Sequence, residues 1–171
     1  MVSFRCETEW DAPAIRDVVI AAFGRADEAD LIEIIRHSNN FIPELSLILT
    51  HKGEVLAHVL FSLIEIETVN GPAPALALAP MAVLPQHQRQ GMGSKLLEFG
   101  LTRCRELGHK IVVVLGHPEY YPRFGFQRAS SVGIKGPFWM PDEALMVLEL
   151  VPGALAEVPG TVCYPRYFAG V

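Results

Sequence analysis

The spacing of apolar positions changes along the chain, and each change marks a new element. Residues 4–8 read as a short first strand. From Asp11 to His37 the pattern is helical: Ala14, Ile15, Val18, Val19 and Ala22 recur at steps of three and four. Asp11 followed by Pro13 suits a helix start. A second helix is expected from Asp27 to Arg36, with Leu31, Ile34 and Ile35 inward. The period then shortens. Leu45–Thr50 and Val55–Thr68 read as antiparallel strands joined by the turn His51-Lys52-Gly53-Glu54. Asn70-Gly71-Pro72 is another turn, leading into a third buried strand, Ala75–Leu84. Pro80 sits inside that strand; lacking an N–H, it marks an edge, a bulge or a splayed pair.

Residues 91–107 return to helical spacing, with Leu97, Leu101 and Cys104 on one face, Leu96, Gly100 and Leu107 beside it, and Gly108 as the stop. Lys110–Leu115 is a continuous apolar run, the pattern of a strand covered on both faces. A short helix over Glu119–Phe124 and a last antiparallel pair, Phe126–Ile134 with Ala144–Leu150, follow. The proline- and glycine-rich tail from Val151 carries a short strand near Val162. The strand–helix–strand unit predicts a right-handed crossover with its two strands parallel in a mixed sheet. The fold class is therefore α/β (α+β): one domain over 1–171, with a core at 4–150 and a tail at 151–171 packed on it.

Composition narrows the function classes. At 171 residues, half of them apolar and about a fifth charged, the chain builds a core without metal or disulfide staples. A net charge of −5 argues against a nucleic-acid face. No apolar stretch is long enough to span a bilayer, and the N-terminus lacks a signal-type apolar run. Cys6, Cys104 and Cys163 are odd in number and widely spaced, so neither zinc nor a disulfide framework is implied. The expectations are no metal, no membrane, no nucleic acid and a cytoplasmic location; a homodimer is compatible with all of them.

The chemistry concentrates after the third strand, in Met81-Ala82-Val83-Leu84-Pro85-Gln86-His87-Gln88-Arg89-Gln90-Gly91-Met92-Gly93-Ser94-Lys95. A buried strand ends, a polar turn follows, and two glycines open a helix. Amides at a helix start have no intrahelical partner and favour an anion. Gly91 and Gly93 carry no side chain, so a diphosphate can reach the backbone. The segment is not a P-loop, because the GxxxxGK[ST] order is absent. It is not a dinucleotide fingerprint either, because Leu96 stands where a third glycine is needed. An ordinary strand-to-helix turn is the plain alternative.

Gln88-Arg89-Gln90-Gly91-Met92-Gly93 resembles the Q/R-x-x-G-x-G/A signature of the GNAT superfamily, lead-in strand included. Tyr120-Tyr121-Pro122-Arg123-Phe124-Gly125-Phe126, after the second parallel strand, resembles that superfamily's Y-x-x-F/Y-G-F motif. Over about residues 4–150 the chain is identified as a member. The closing segment 160–168 is similar to an uncharacterised bacterial branch.

The resemblance implies a GNAT fold, with a splayed parallel strand pair and helices on both faces. It implies an N-acetyltransferase that passes the acetyl group of acetyl-CoA directly to a primary amine in a ternary complex; a non-catalytic acyl-CoA sensor is the alternative. The backbone of Met81, Ala82 and Val83 would hold the pantetheine arm, and Gln88, Arg89, Gln90, Gly91, Met92, Gly93 and Ser94 the diphosphate. Val83 would donate to the oxyanion. Tyr121, also at the cofactor, would protonate the departing sulfur, with Tyr120 as the neighbour able to take that role. The base is open among His117, Glu65, Glu67 and His58, or the amine binds already deprotonated. Family members often carry a strand glutamate; Ala75–Leu84 has none. The acceptor, a small-molecule or protein amine, would meet Phe23–Asp30 and Pro137–Asp142, where Asp27, Glu28 and Asp30 would attract a cation and Phe138-Trp139-Met140 would line the pocket or simply pack.

Overall fold

A computed structural model describes residues 1–169. Its elements are β1 (Val2–Cys6), α1 (Ala12–Phe23), α2 (Asp27–Arg36), β2 (Ser46–His51), β3 (Glu54–Thr68), β4 (Gly71–Val83), α3 (Met92–Glu106), β5 (Ile111–Leu115), β6 (Gln127–Arg128), β7 (Ile134–Lys135), β8 (Leu145–Glu149) and β9 (Gly160–Cys163). The strands hydrogen-bond in the order β1-β2-β3-β4-β5-β8-β6, with β9 on β3 and β7 on β9. β4 pairs with β5 in parallel. β1 with β2, β2 with β3, and β5 with β8 are antiparallel, so the sheet is mixed as expected. The chain divides into two compact units. One comprises Met1–Ser62, Ala79–Arg103 and the residues from Tyr167; the other comprises Leu63–Leu78 and Cys104–Arg166.

In the first unit, α1 begins with a proline in its first turn and ends at Gly24, whose φ of 72° places its N–H on Ile20 O at 2.8 Å. Upstream, Thr8 and Asp11 form a capping box, and Arg5 grips the Asp11 carboxylate at 2.7 and 3.0 Å. That engagement takes residues 7 and 8 out of the strand, so β1 lies earlier than the pattern suggested. Ile15, Val18 and Val19 of α1 and Leu31, Ile32 and Ile35 of α2 bury against Ile48, Leu60 and Ala82. Each fully buried side chain of this kind contributes roughly 1.5–3 kcal/mol of transfer free energy. Ile34, expected inward, is 48% exposed, and Ile32 takes the inward place. On the other face of the sheet, Gly100 of α3 lies so close to Phe61 that an added Cβ would stand 2.6 Å from its ring. Helices therefore cover both faces of β2 and β3 in this unit.

In the second unit, β5 is buried from Ile111 to Val114 and pairs with β8 through five residue pairs. The expected strand Phe126–Ile134 breaks into three pieces. Gln127 and Arg128 pair with β8, residues 129–132 form a 3-10 turn, and Ile134–Lys135 pairs in parallel with β9. The interruption is local chemistry: Ser131 Oγ donates back to Arg128 O at 2.6 Å, and Gly133 follows with φ at 77°. The tail strand, β9, adds to β3 opposite Glu65–Thr68.

Candidate active site

Within the second unit β4 pairs with β5 through Leu76 with Val112 and Ala77 with Val113. β4 itself runs on to Val83. Pro80 is buried within it, three residues beyond Ala77, and as a proline has no N–H to give to a ladder. Leu84 N–H donates to Leu56 O on β3 at 2.9 Å. Alternation along a strand therefore turns the amide and carbonyl of Val83 to the opposite edge. On that side Val83 O accepts from Gln88 Nε2 at 2.9 Å.

The turn that follows is built in the same unit. Pro85–His87 is a single 3-10 turn, closed by Gln88 N–H to Pro85 O at 3.3 Å. Arg89 and Gly91 then adopt positive φ, 62° and 80°, on either side of Gln90. Such alternation of backbone hand turns successive amides toward one concave side. Lys95 N–H reaches Gly91 O at 3.1 Å, but among the described residues the amides of Arg89, Gln90, Gly91, Met92 and Gly93 meet no backbone acceptor. They form a row of donors at the start of α3, with the partial positive charge of a helix N-terminus. Gly91 needs its glycine for conformation, with φ at 80°; among the described residues a Cβ there would meet nothing within 4 Å. The side chains of Gln88, Arg89 and Gln90 are exposed, while Met92, Gly93 and Ser94 are half-buried.

The Tyr motif belongs to the second unit. The expected helix over Glu119–Phe124 is one 3-10 turn, Tyr121–Phe124, stopped by Gly125 at φ 96°. Tyr120 and Tyr121 amides both donate to His117 O, at 3.1 and 3.5 Å. The Tyr121 ring is 8% exposed, edge-on to Tyr120 and Phe126 at 5.1 and 5.6 Å between centroids. It fills the place a side chain at Gly116 would occupy: a Cβ there would lie 2.5 Å from the ring. Burial, and then the neighbouring Tyr120, push the Tyr121 hydroxyl up to about 12. It is a proton donor at neutral pH and no base. His117 is exposed just beyond the end of β5.

The other base candidates have different surroundings. Glu65 and Glu67 are exposed on β3, opposite Cys163 and Thr161 of β9. His58 is wholly buried, and its Nε2 lies 2.9 Å from Ser46 Oγ. Ser46 also donates to Glu7, which accepts from Arg36 Nε at 3.0 Å. A hydroxyl that donates to the carboxylate must accept from the imidazole, so His58 carries its proton on Nε2. Its Nδ1 is buried without a partner among the described residues. Desolvation holds His58 below its ordinary value, partly offset by Glu7. Desolvation works to raise Glu7, but hydrogen bonds from His58 and Ser46 and the charge of Arg36 outweigh it and keep Glu7 low. Periodicity missed this network; a lone histidine in an apolar strand was its one signal. The α2 acids are already engaged: Asp30 by Arg16 at 2.9 Å, Asp27 by Arg25 at 3.6 Å, and Glu28 by Arg25 Nε at 2.9 Å.

Residues 3–129 match the family model described as an acetyltransferase (GNAT) domain. The chain is 35% identical over 142 residues to the uncharacterized N-acetyltransferase YjhQ of Escherichia coli K12, covering 82% of this chain and 78% of that protein. It is 32% identical to the uncharacterized N-acetyltransferase YhbS of the same strain, covering 96% of each. A crystal structure of Escherichia coli YhbS in complex with CoA superposes with a TM-score of 0.90 at 30% identity, covering 98% of this chain and 91% of that one. A GNAT family acetyltransferase from Brucella melitensis in complex with acetyl-CoA gives 0.80 at 29% identity, covering 98% of both.

Proposed function

The chain belongs to the GNAT family of acetyltransferases, and on that premise we propose that it passes the acetyl group of acetyl-CoA to a primary amine by direct attack in a ternary complex. The observation that carries the proposal is the row of amides from Arg89 to Gly93 without backbone acceptors, opening α3 under two residues of positive φ. Unpaired amides at a helix start suit a diphosphate, and the similar proteins from Escherichia coli and Brucella melitensis were solved with CoA and acetyl-CoA.

The backbone of Met81, Ala82 and Val83 is proposed to hold the pantetheine arm, because the amide and carbonyl of Val83 turn to the edge away from β3. Gln88–Ser94 would take the diphosphate. The amine lone pair attacks the thioester carbonyl, the C–N bond forms and the carbonyl oxygen gains charge, for which the Val83 amide is the proposed donor. The C–S bond then breaks and the thiolate leaves. Tyr121 is assigned as the acid that protonates or hydrogen-bonds the departing sulfur, since it retains its proton at neutral pH. His117, exposed beyond β5, is assigned to accept the ammonium proton. Most of the acceleration on this reading comes from holding the two reactants together.

We read 1–171 as one acyltransferase domain acting in the cytoplasm. Among the described residues no helix is long and apolar enough to cross a membrane, and no cluster of His, Cys, Asp or Glu could hold a metal ion. One observation favours a second reading, an acyl-CoA sensor without turnover: β4 carries no acidic residue. The two readings separate in a thiol-release assay with acetyl-CoA across a panel of amines. Transfer to at least one amine is expected; CoA binding with no transfer to any amine would favour the sensor, and no CoA binding would remove both.

A further inference from the structure

One polar chain inside the first unit takes no part in the reaction proposed above. Arg36, in the last turn of α2, holds Glu7 through Nε at 3.0 Å and Nη2 at 2.9 Å, and Glu33 through Nη1 at 2.7 Å. Ser46, the first residue of β2, donates to Glu7 and accepts from His58 Nε2 at 2.9 Å. The backbone closes the same seam: Glu7 N–H donates to Ser46 O at 2.9 Å, and Ser38 N–H ends α2 on Ile35 O at 2.9 Å. Ser46 and His58 are fully buried, whereas the Glu7 and Arg36 side chains keep 6% and 15% exposure. The chain therefore meets water at its Glu7–Arg36 end.

The protons of this chain have one arrangement. Ser46 spends its single hydrogen on Glu7, so the hydrogen between Ser46 and His58 belongs to Nε2. Nδ1 then carries a lone pair, buried and without a partner among the described residues. A proton added there becomes a buried donor with no acceptor, on a ring now charged. Two charged groups act on that ring, Glu7 from the segment after β1 and Arg36 from α2. β2 presents Ser46 and, directly opposite, Ile48; the α1 and β4 residues of the adjoining core, Ile15, Val18, Val19 and Ala82, carry no charge. Glu7 lies 3.7 Å from Nε2 and would favour an imidazolium, but it already serves Arg36 and Ser46. Two cations would compete for one carboxylate, and the relief open to them is water, admitted where the chain is least covered.

We propose that Glu7, Arg36, Ser46 and His58 form an acid-sensitive latch: at neutral pH they seal the end of α2 against the start of β2, and protonation of His58 at Nδ1 opens that seam while the rest of the first unit stays folded. The step takes one proton from solvent and makes or breaks no other covalent bond. The open state binds one proton more than the sealed state, so acid favours it. Below the ordinary 6.5 of the imidazole each pH unit favours opening by up to about tenfold, about thirtyfold by pH 5.

Amide hydrogen exchange on the full chain, corrected for the intrinsic effect of pH and repeated in low urea, tests the latch. From pH 7 to 5 the amides of Glu7, Arg36, His37, Ser38 and Leu45 are expected to lose protection about 10- to 30-fold. At pH 5 their exchange is expected to depend little on urea, the mark of a local opening that exposes little surface. Leu96 and Leu97, buried in α3, are expected to keep a steep urea dependence. Nitrogen NMR of the ring at pH 7 is expected to place the His58 proton on Nε2, and His58→Gln is expected to abolish the acid-induced loss in the seam. Seam amides that share the urea dependence of Leu96 and Leu97 at pH 5 would show that His58 takes its proton only in the unfolded chain, and the proposal would fall. A ring protonated on Nδ1 at pH 7, or an acid-induced loss that persists in His58→Gln, would overturn it equally. Should that variant fail to fold, the urea dependence of the wild-type chain decides by itself.

Discussion

Replacing Tyr121 with phenylalanine deletes one oxygen and leaves the ring in place. The ring contacts with Tyr120 and Phe126 and the fit against Gly116 are all made by carbon atoms. Folding stability is therefore expected to change by less than about 1 kcal/mol, within the range for a lost net hydrogen bond. The cost falls on the departing sulfur. An ordinary thiol titrates near ~8.5, and burial pushes the Tyr121 hydroxyl up to about 12. Full proton transfer from the hydroxyl to the thiolate is uphill, so its contribution is that of a hydrogen bond to a developing anion, about 1.5–3 kcal/mol. At about 1.36 kcal/mol per decade, kcat falls about 10- to 150-fold. Thiol release at saturating acetyl-CoA and amine measures kcat, and calorimetric titration with CoA measures affinity, which stays within about twofold. Because the hydroxyl stays protonated until pH approaches about 12, the loss is uniform from pH 6 to 9. A variant with wild-type kcat, or one whose deficit vanishes within that pH range, refutes the assignment.

Gly91→Asp is expected to weaken CoA binding more than tenfold by calorimetry, because a carboxylate would enter the donor row. Gly91→Ala isolates the backbone strain at φ 80°, about 1 kcal/mol, and an unchanged melting temperature would show that the turn is not held there. Gly116→Ala puts a methyl where the Tyr121 ring lies; a loss of kcat comparable to Tyr121→Phe is expected, and full activity would contradict the packing. His58 and Glu7 are both held below their ordinary values, so the unfolded chain binds more protons and stability rises with pH. The contribution of His58 is fully present above its ordinary 6.5 and is lost as pH falls through its lower folded value. His58→Gln is expected to flatten the dependence of urea stability between pH 7 and 5, and an unaltered slope would exclude His58 as its source.

The order of elements was legible because it rests on local rules. Periods of two and 3.6 in the apolar residues, the Gly108 stop, and the turn at His51–Glu54 are each decided within a few neighbours. The donor row at Arg89–Gly93 was legible for the same reason: a strand end, a polar turn and glycines at a helix start constrain the backbone wherever the rest of the chain goes. The Tyr121 motif could be read, but not the ring's burial or its displaced titration, which Gly116, Tyr120 and Phe126 impose.

What tertiary structure alone decided is which groups meet across long separations. Glu7, Arg36, Ser46 and His58 come from a loop, a helix and two strands, and no periodicity couples them; only packing brings their polar atoms within bonding distance. Asp30 of α2 looked free in one dimension and is paired in three, because Arg16 reaches it from α1. The strand expected over Phe126–Ile134 was divided by partners: β8 takes its start and β9 its end, leaving residues 129–133 between them to turn. Apolar spacing specifies a buried face, whereas the occupant of that face and the partner of each buried charge are properties of the assembled chain.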